Sequence, residues 1–155
     1  MTPGVKFLTA RKIPFSLHEY AADPAADSYG LEAASALNLP PEQVFKTLVV
    51  SLSGDAYAVA ILPVSQMLSM KRIAKSVGVK KAQMADGADV ERMTGYVLGG
   101  VSPLGQKKRL QTVIDKSAQN HSTIFISGGK RGLEIEMPPE ALAQCLNAKF
   151  SELTA

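Results

Sequence analysis

FKTLVVSLSGDAYAVAIL, residues 45–62, consists of two apolar, β-branched runs, Phe45 to Leu52 and Ala56 to Leu62, joined by Ser53, Gly54 and Asp55. Such runs on either side of a short glycine-containing link predict a β-hairpin, which sets antiparallel pairing at the centre of the chain. Upstream, Thr2 and Pro3 read as the cap and first residue of a helix that ends at Arg11 and Lys12. Ile13 to Tyr20 alternates Ile13, Phe15 and Leu17 against Ser16, His18 and Tyr20, the period of a strand. Residues 21–28, with Asp23, Pro24 and Asp27, read as a loop, and a helix from Tyr29 to Asn38, capped by Ser28, stops before Pro40 and Pro41. Downstream come a basic helix from Ser69 to Val77 ended by Gly78, a short strand within Lys80 to Ala85, and a helix from Asp86 to Met93. Gln111 to Ile114, Thr123 to Ser127 and Leu133 to Met137 read as strands, and Pro138 and Pro139 open a last helix whose end Phe150 packs. Helices recurring between short strands give an α+β class. The 155 residues contain no repeat, linker or low-complexity tract, so they form one domain, 1–155.

The composition is that of a folded protein, 46% hydrophobic and 20% charged. The single cysteine, Cys145, excludes an internal disulfide and a cysteine metal cluster. No apolar run reaches the length of a membrane span and Met1 to Lys12 lacks a signal peptide's apolar region, which points to the cytoplasm and to no membrane contact. Net charge is +3, unevenly spread: Met70 to Arg131 holds twelve Lys and Arg against four Asp and Glu, and the remainder five against ten. That asymmetry suits a polyanion on one surface.

Two stretches stand apart from core. TGYVLGGVSPLGQKKR, residues 94–109, places four glycines, two small hydroxyls and three consecutive cations together, and Gly99 and Gly100 remove two successive side chains where a ligand or another backbone could approach. Lys46, second in an otherwise apolar strand, either guards an edge or directs its ammonium into a polar cavity, where Thr47 could add a hydroxyl. Familiar catalytic patterns fail. Gly100 to Gly105 is one residue too long for a nucleophile elbow, and Pro103 follows the serine where a backbone N–H is required. Gly128-Gly129-Lys130-Arg131 lacks the spacing of a phosphate-binding loop, and no dinucleotide fingerprint occurs. His18 and His121 are too few for a zinc site, and Cys145 sits on an apolar helical face as a core residue.

Phe45-Lys46-Thr47-Leu48, Gly95 to Pro103 and Ser127-Gly128-Gly129, in that order, resemble the YbaK/EbsC group of aminoacyl-tRNA deacylases, relatives of the editing domain inserted in bacterial prolyl-tRNA synthetases. The likeness runs from Thr2 to about Phe150 and includes MTPG, KSVGVKKAQMAD and SPLGQKKR. It implies a mixed, mainly antiparallel β-barrel surrounded by helices. It implies an enzyme without cofactor or metal that removes cysteine from Cys-tRNA(Pro), the substrate's own thiol attacking its carbonyl so that the protein supplies no nucleophile. Position by position, Lys46 matches the essential lysine, Gly99 and Gly100 the glycine turn whose N–H groups can polarise the carbonyl, and Tyr20 and Thr47 pocket hydroxyls. Tyr29 matches a pocket aromatic, Ser127 a pocket serine and Glu134 a carboxylate that is often Asp. Lys71, Arg72, Lys80, Lys81, Lys107, Lys108, Lys130 and Arg131 would form the acceptor-stem surface. Implied partners are aminoacylated tRNA and, transiently, prolyl-tRNA synthetase, with a monomer expected. Two alternatives stay open: another mischarged tRNA such as Ala-tRNA(Pro), and a module that binds tRNA or synthetase without catalysis.

Overall fold

The computed structural model describes residues 1–23 and 28–155. The loop expected over 21–28 therefore lies partly outside the described residues, including Pro24 and Asp27. The hairpin is present as β2 (Phe45–Leu52) and β3 (Ala56–Pro63), paired from Phe45↔Pro63 to Leu52↔Ala56. Asp55 and Gly54 take the left-handed conformations, φ 60° and 88°, that the tight link needs. The strand β4 (Ala82–Met84) adds to the outer edge of β2 only over Val50–Leu52. On the other side, β5 (Gln111–Asp115) and β8 (Lys149–Ser151) extend the sheet with parallel pairings. A second, antiparallel sheet has the order β1 (Ser16–Glu19), β7 (Leu133–Met137), β6 (Ile124–Ser127).

Five α-helices occur among the described residues. α1 (Pro3–Ala10) starts as its sequence dictates, the Thr2 hydroxyl accepting from the Val5 N–H at 3.3 Å. The Ser28 hydroxyl does the same for Leu31 at the head of α2 (Tyr29–Ala36), and Ser69 caps α3 (Met70–Ser76). α4 (Gly87–Thr94) ends on Gly95 at φ 80°, a left-handed stop that a residue with a Cβ rarely adopts. α5 (Pro139–Leu146) completes the set. None of these helices is long and apolar enough to cross a membrane.

The main core lies between the sheets, where Phe45, Val49 and Ile61 of the hairpin meet Ile126, Ile135 and Met137 with Leu8 and Leu142 of α1 and α5. α3 covers the opposite face of the hairpin sheet through Ile73 against Val50, Ala60 and Leu62. α2 lays Ala33 and Ala34 on Phe125 and Val44. The α+β class stands, and four of the six strand pairings are antiparallel. The expected barrel does not close. A barrel needs an unbroken ladder, but among the described residues the two sheets are joined by one isolated bridge, Val44↔Phe125, and the outer strands β4 and β8 have three residues each, too few to carry pairing around.

Two local expectations are revised. The strand read over Ile13 to Tyr20 spans Ser16–Glu19, and Leu17, set on one side with Ile13 and Phe15, is 46% exposed, because β1 is an edge with no strand paired beyond it among the described residues. Phe150 belongs to β8 as well as to the core; three residues are too short a run to register as a strand in sequence.

Candidate active site

The strand β2 alternates its peptide groups between two neighbours. Val44 C=O accepts from Val64 on the β3 side, and Val49 C=O accepts from Ala85 at 3.1 Å on the β4 side. Odd-numbered residues therefore turn their backbone outward, and beyond Val49 there is no β4 to meet them. The gap opposite Phe45–Leu48 is the mouth of a cavity of about 410 Å³. Its remaining walls come from the start of α2 (Ser28, Tyr29), the turn after α4 (Leu98, Gly99, Val101) and the second sheet (Tyr20, Ser127, Glu134), with Lys130 at its rim.

Lys46, Thr47, Tyr20, Tyr29, Gly99, Ser127 and Glu134, drawn from six segments of the chain, thus share one cavity. Lys46 is half-buried, and desolvation lowers its pKa below the ordinary lysine value; no carboxylate among the described residues forms an ion pair with it. Glu134 is 6% exposed, so the reading of an ordinary solvated strand carboxylate is set aside. Burial pushes its pKa up to about 8, which makes it a neutral acid near pH 7. Ser127 stands directly across the ladder from Glu134, its hydroxyl accepting from the Gly129 N–H at 3.2 Å. The Tyr20 phenol is pushed up, by burial first and by the neighbouring Glu134 charge to a lesser degree. The Thr47 hydroxyl is buried without a hydrogen-bond partner among the described residues, where buried polar groups are ordinarily paired.

The two glycines of the turn separate in role. Gly99, at φ 92°, lies against the Tyr29 ring, where an added Cβ would sit 3.1 Å from the ring carbon bearing the hydroxyl. Gly100 does not have the free N–H expected of it: that group donates to Val97 C=O at 3.0 Å, closing the turn. What the position requires is smallness, since a Cβ would come within 2.8 Å of the Lys130 Cα.

The eight cations expected to form one nucleic-acid surface do not form one. Lys71, Lys80 and Lys81 gather in a separate cleft of about 440 Å³ at the far end of β2. Lys108 joins Arg11 and Arg109 beside α1 and α5, Lys107 is exposed on the same loop, and Lys130 belongs to the cavity. Arg72 is paired with Glu152 at 2.8 Å. Arg131 is the clearest correction: its guanidinium holds both oxygens of Glu32 at 3.2 and 2.6 Å, donates to the Asp23 carbonyl, and lies 4.9 Å from the centroid of the Tyr29 ring. It braces the cavity wall rather than facing a phosphate. Glu32, 5% exposed at the side chain, was absent from the candidate residues; a lone carboxylate inside the Ala-rich run Leu31 to Ala36 was the available signal.

The remaining candidates are structural. His18 Nε2 meets Glu136 Oε1 at 2.9 Å and its ring abuts Phe125 edge to face. The Ser102 hydroxyl is fully buried and accepts from the Leu104 N–H at 3.2 Å. The Cys145 Sγ donates to Leu142 C=O, and burial raises its pKa. Among the described residues no trio of His, Cys, Asp or Glu is placed to hold a metal ion.

Residues 23–145 match the model of the aminoacyl-tRNA editing domain family. The chain is 36% identical over 160 aligned positions to an Enterococcus faecalis protein provisionally named a Cys-tRNA(Pro)/Cys-tRNA(Cys) deacylase, EbsC, covering 99% of this chain and 93% of that one. It is 30% identical over 73 residues, 45% of this chain and 44% of the relative, to the Escherichia coli multifunctional Ser/Thr-tRNA deacylase ProXp-y. Among solved structures, one described provisionally as a trans-editing enzyme for prolyl tRNA synthetase superposes with a TM-score of 0.86 at 21% identity, over 99% of this chain and 95% of the other, which shows the shared fold.

Proposed function

Because the chain belongs to the aminoacyl-tRNA editing domain family, we propose that it is a deacylase that clears cysteine from mischarged Cys-tRNA(Pro). The observation that carries this reading is the content of the cavity. It holds the half-buried Lys46 ammonium, a second lysine, Lys130, at the rim, one buried neutral carboxyl and several hydroxyls, and its described lining includes no histidine or cysteine to serve as base or nucleophile. A site so furnished can bind and polarise an aminoacyl ester, while the bond-making group comes from the substrate.

In this reading the cysteinyl sulfur attacks its own carbonyl carbon, the ester C–O bond breaks, and the thiol proton passes to the departing ribose oxygen. Lys46, only partly hydrated, stabilises negative charge on that oxygen or on the adjoining phosphate. The Gly99 N–H and the outward-facing Thr47 N–H are the backbone donors available to the carbonyl. Glu134 gives up its proton when the substrate's α-ammonium arrives, which exchanges a buried neutral acid for a buried ion pair. Tyr29 bounds the amino-acid side chain; Tyr20, Ser127 and the unpartnered Thr47 hydroxyl orient the ester and amine.

The protein acts in the cytoplasm as a monomer and meets prolyl-tRNA synthetase transiently, so that misacylated product is cleared before it leaves. Sedimentation of the protein alone, and with synthetase and tRNA, tests both statements. The activity is tested by single-turnover deacylation of Cys-tRNA(Pro), Ala-tRNA(Pro) and Ser-tRNA(Pro), with Lys46→Ala in parallel. Loss of cysteine alone, abolished by the substitution, is the expected result. Loss of alanine or serine would demand a positioned water and move the specificity. No turnover of any ester, with tRNA affinity intact, would make the protein a binding module.

A further inference from the structure

The cleft at the far end of β2 is not explained by the chemistry of the cavity. Lys71, Lys80 and Lys81 converge on it, with Ser51, Ser53 and Gln83 adding hydroxyl and amide groups, and no carboxylate lines it. All three lysines are exposed, and none takes part in an ion pair among the described residues. Three ammonium groups around one cleft repel each other, and an anion removes that repulsion. The basic character continues around α3, where Lys71 and Lys75 share a groove with Lys149. Arg72, next to Lys71 on α3, is paired with Glu152 at 2.8 Å.

The location sets the scale. Ser51 lies five residues along β2 from Lys46, and at a strand rise of about 3.3 Å per residue the cleft is ~17 Å from the cavity. A nucleic-acid strand advances ~3.4 Å per stacked nucleotide, so about five nucleotides separate the two. We infer that the α3–β4 cleft binds backbone phosphates at the start of the acceptor stem, while the 3′-terminal aminoacyl ester occupies the cavity. The inference rests on the reading of the substrate as aminoacylated tRNA, and it assigns the stem to this cleft rather than to the Lys107–Lys108 loop or to Arg131.

The test is Lys80→Ala/Lys81→Ala, two exposed side chains, assayed on Cys-tRNA(Pro) and on the cysteinyl ester of the trinucleotide CCA, which carries no stem. With the full tRNA, kcat/KM falls while saturated kcat holds, and the log–log dependence on salt flattens by about two, one for each lost phosphate contact. The trinucleotide ester keeps the wild-type rate. Equal losses on both substrates, or none on either, overturn the inference, as does the same loss from Lys107→Ala/Lys108→Ala instead. Wild-type protein that cleaves neither ester defeats the deacylase reading alone. Binding of uncharged tRNA across a salt series then decides the cleft: the double variant must show weaker affinity and the flatter slope, and an unchanged slope refutes it.

Discussion

Replacing Glu134 by Gln keeps the shape of a buried side chain and removes its titration. The folded chain holds the Glu134 proton up to a pKa of about 8, against 4.5 ordinarily, because burial opposes the charged form. Below the ordinary value both folded and unfolded chains are protonated, and the stabilisation from this group is complete. As pH rises above it the unfolded chain releases the proton and the folded chain does not, so stability declines until the folded pKa is passed. Each pH unit in that window is worth ~1.4 kcal/mol, so between pH 5.5 and 7.5 the loss due to Glu134 is about 3 kcal/mol. Urea unfolding of wild type and Glu134→Gln, followed by circular dichroism at half-unit pH steps, isolates this contribution as a difference between two curves. The variant gains about 3 kcal/mol on the wild type across the interval, at constant m-value. Curves that run parallel would refute the assignment of a neutral, desolvated carboxyl in the cavity.

Three other perturbations probe the site. Lys46 has its pKa lowered by burial, so the alkaline fall of kcat/KM, as the ammonium is lost, sits below the ordinary lysine value; Lys46→Arg abolishes that limb and Lys46→Ala costs at least about 100-fold in single-turnover rate. Arg131→Ala strands the buried Glu32 carboxylate and lowers the urea midpoint, with a raised KM as the Tyr29 wall loosens; Arg131→Ala/Glu32→Gln recovers most of the stability. Gly100→Ala drives a methyl toward the Lys130 backbone and lowers the melting temperature by the equivalent of about 1 to 3 kcal/mol, about 2 to 12 °C for a chain of this size.

The hairpin was legible because its two runs and its Ser53–Asp55 link agree at every level, and the helix starts at Thr2, Ser28 and Ser69 because a cap is a local chemical event. The open sheets were not. Closure depends on whether three-residue strands such as β4 and β8 reach a neighbour, and that is decided by distant segments. Lys46 could be singled out as a charge inside an apolar strand. Glu134 could be named by resemblance, but its burial follows from α2 lying over the second sheet, which periodicity in Leu133–Met137 does not reveal. The Gly100 N–H and the Arg131 guanidinium were misassigned for one reason: a sequence shows which groups exist, and folding decides which are already engaged.

The shortness of β4 has a wider consequence. An uncovered strand edge ordinarily invites another chain to pair with it, and here the stretch of β2 that β4 leaves unpaired lines the cavity in which we propose the substrate binds. In the register of Val50↔Met84, five more residues of β4 would complete the ladder to Phe45, and the same hydrogen bonds that finished the sheet would fill the cavity. Length at the Ser53–Asp55 link, at the opposite end of the strand, leaves the cavity alone and bears instead on the lysine cleft, which Ser53 lines. Insertion is therefore penalised differently at the two ends of a single strand: at the hairpin tip it disturbs the lysine cleft, and where β4 stops it closes the cavity.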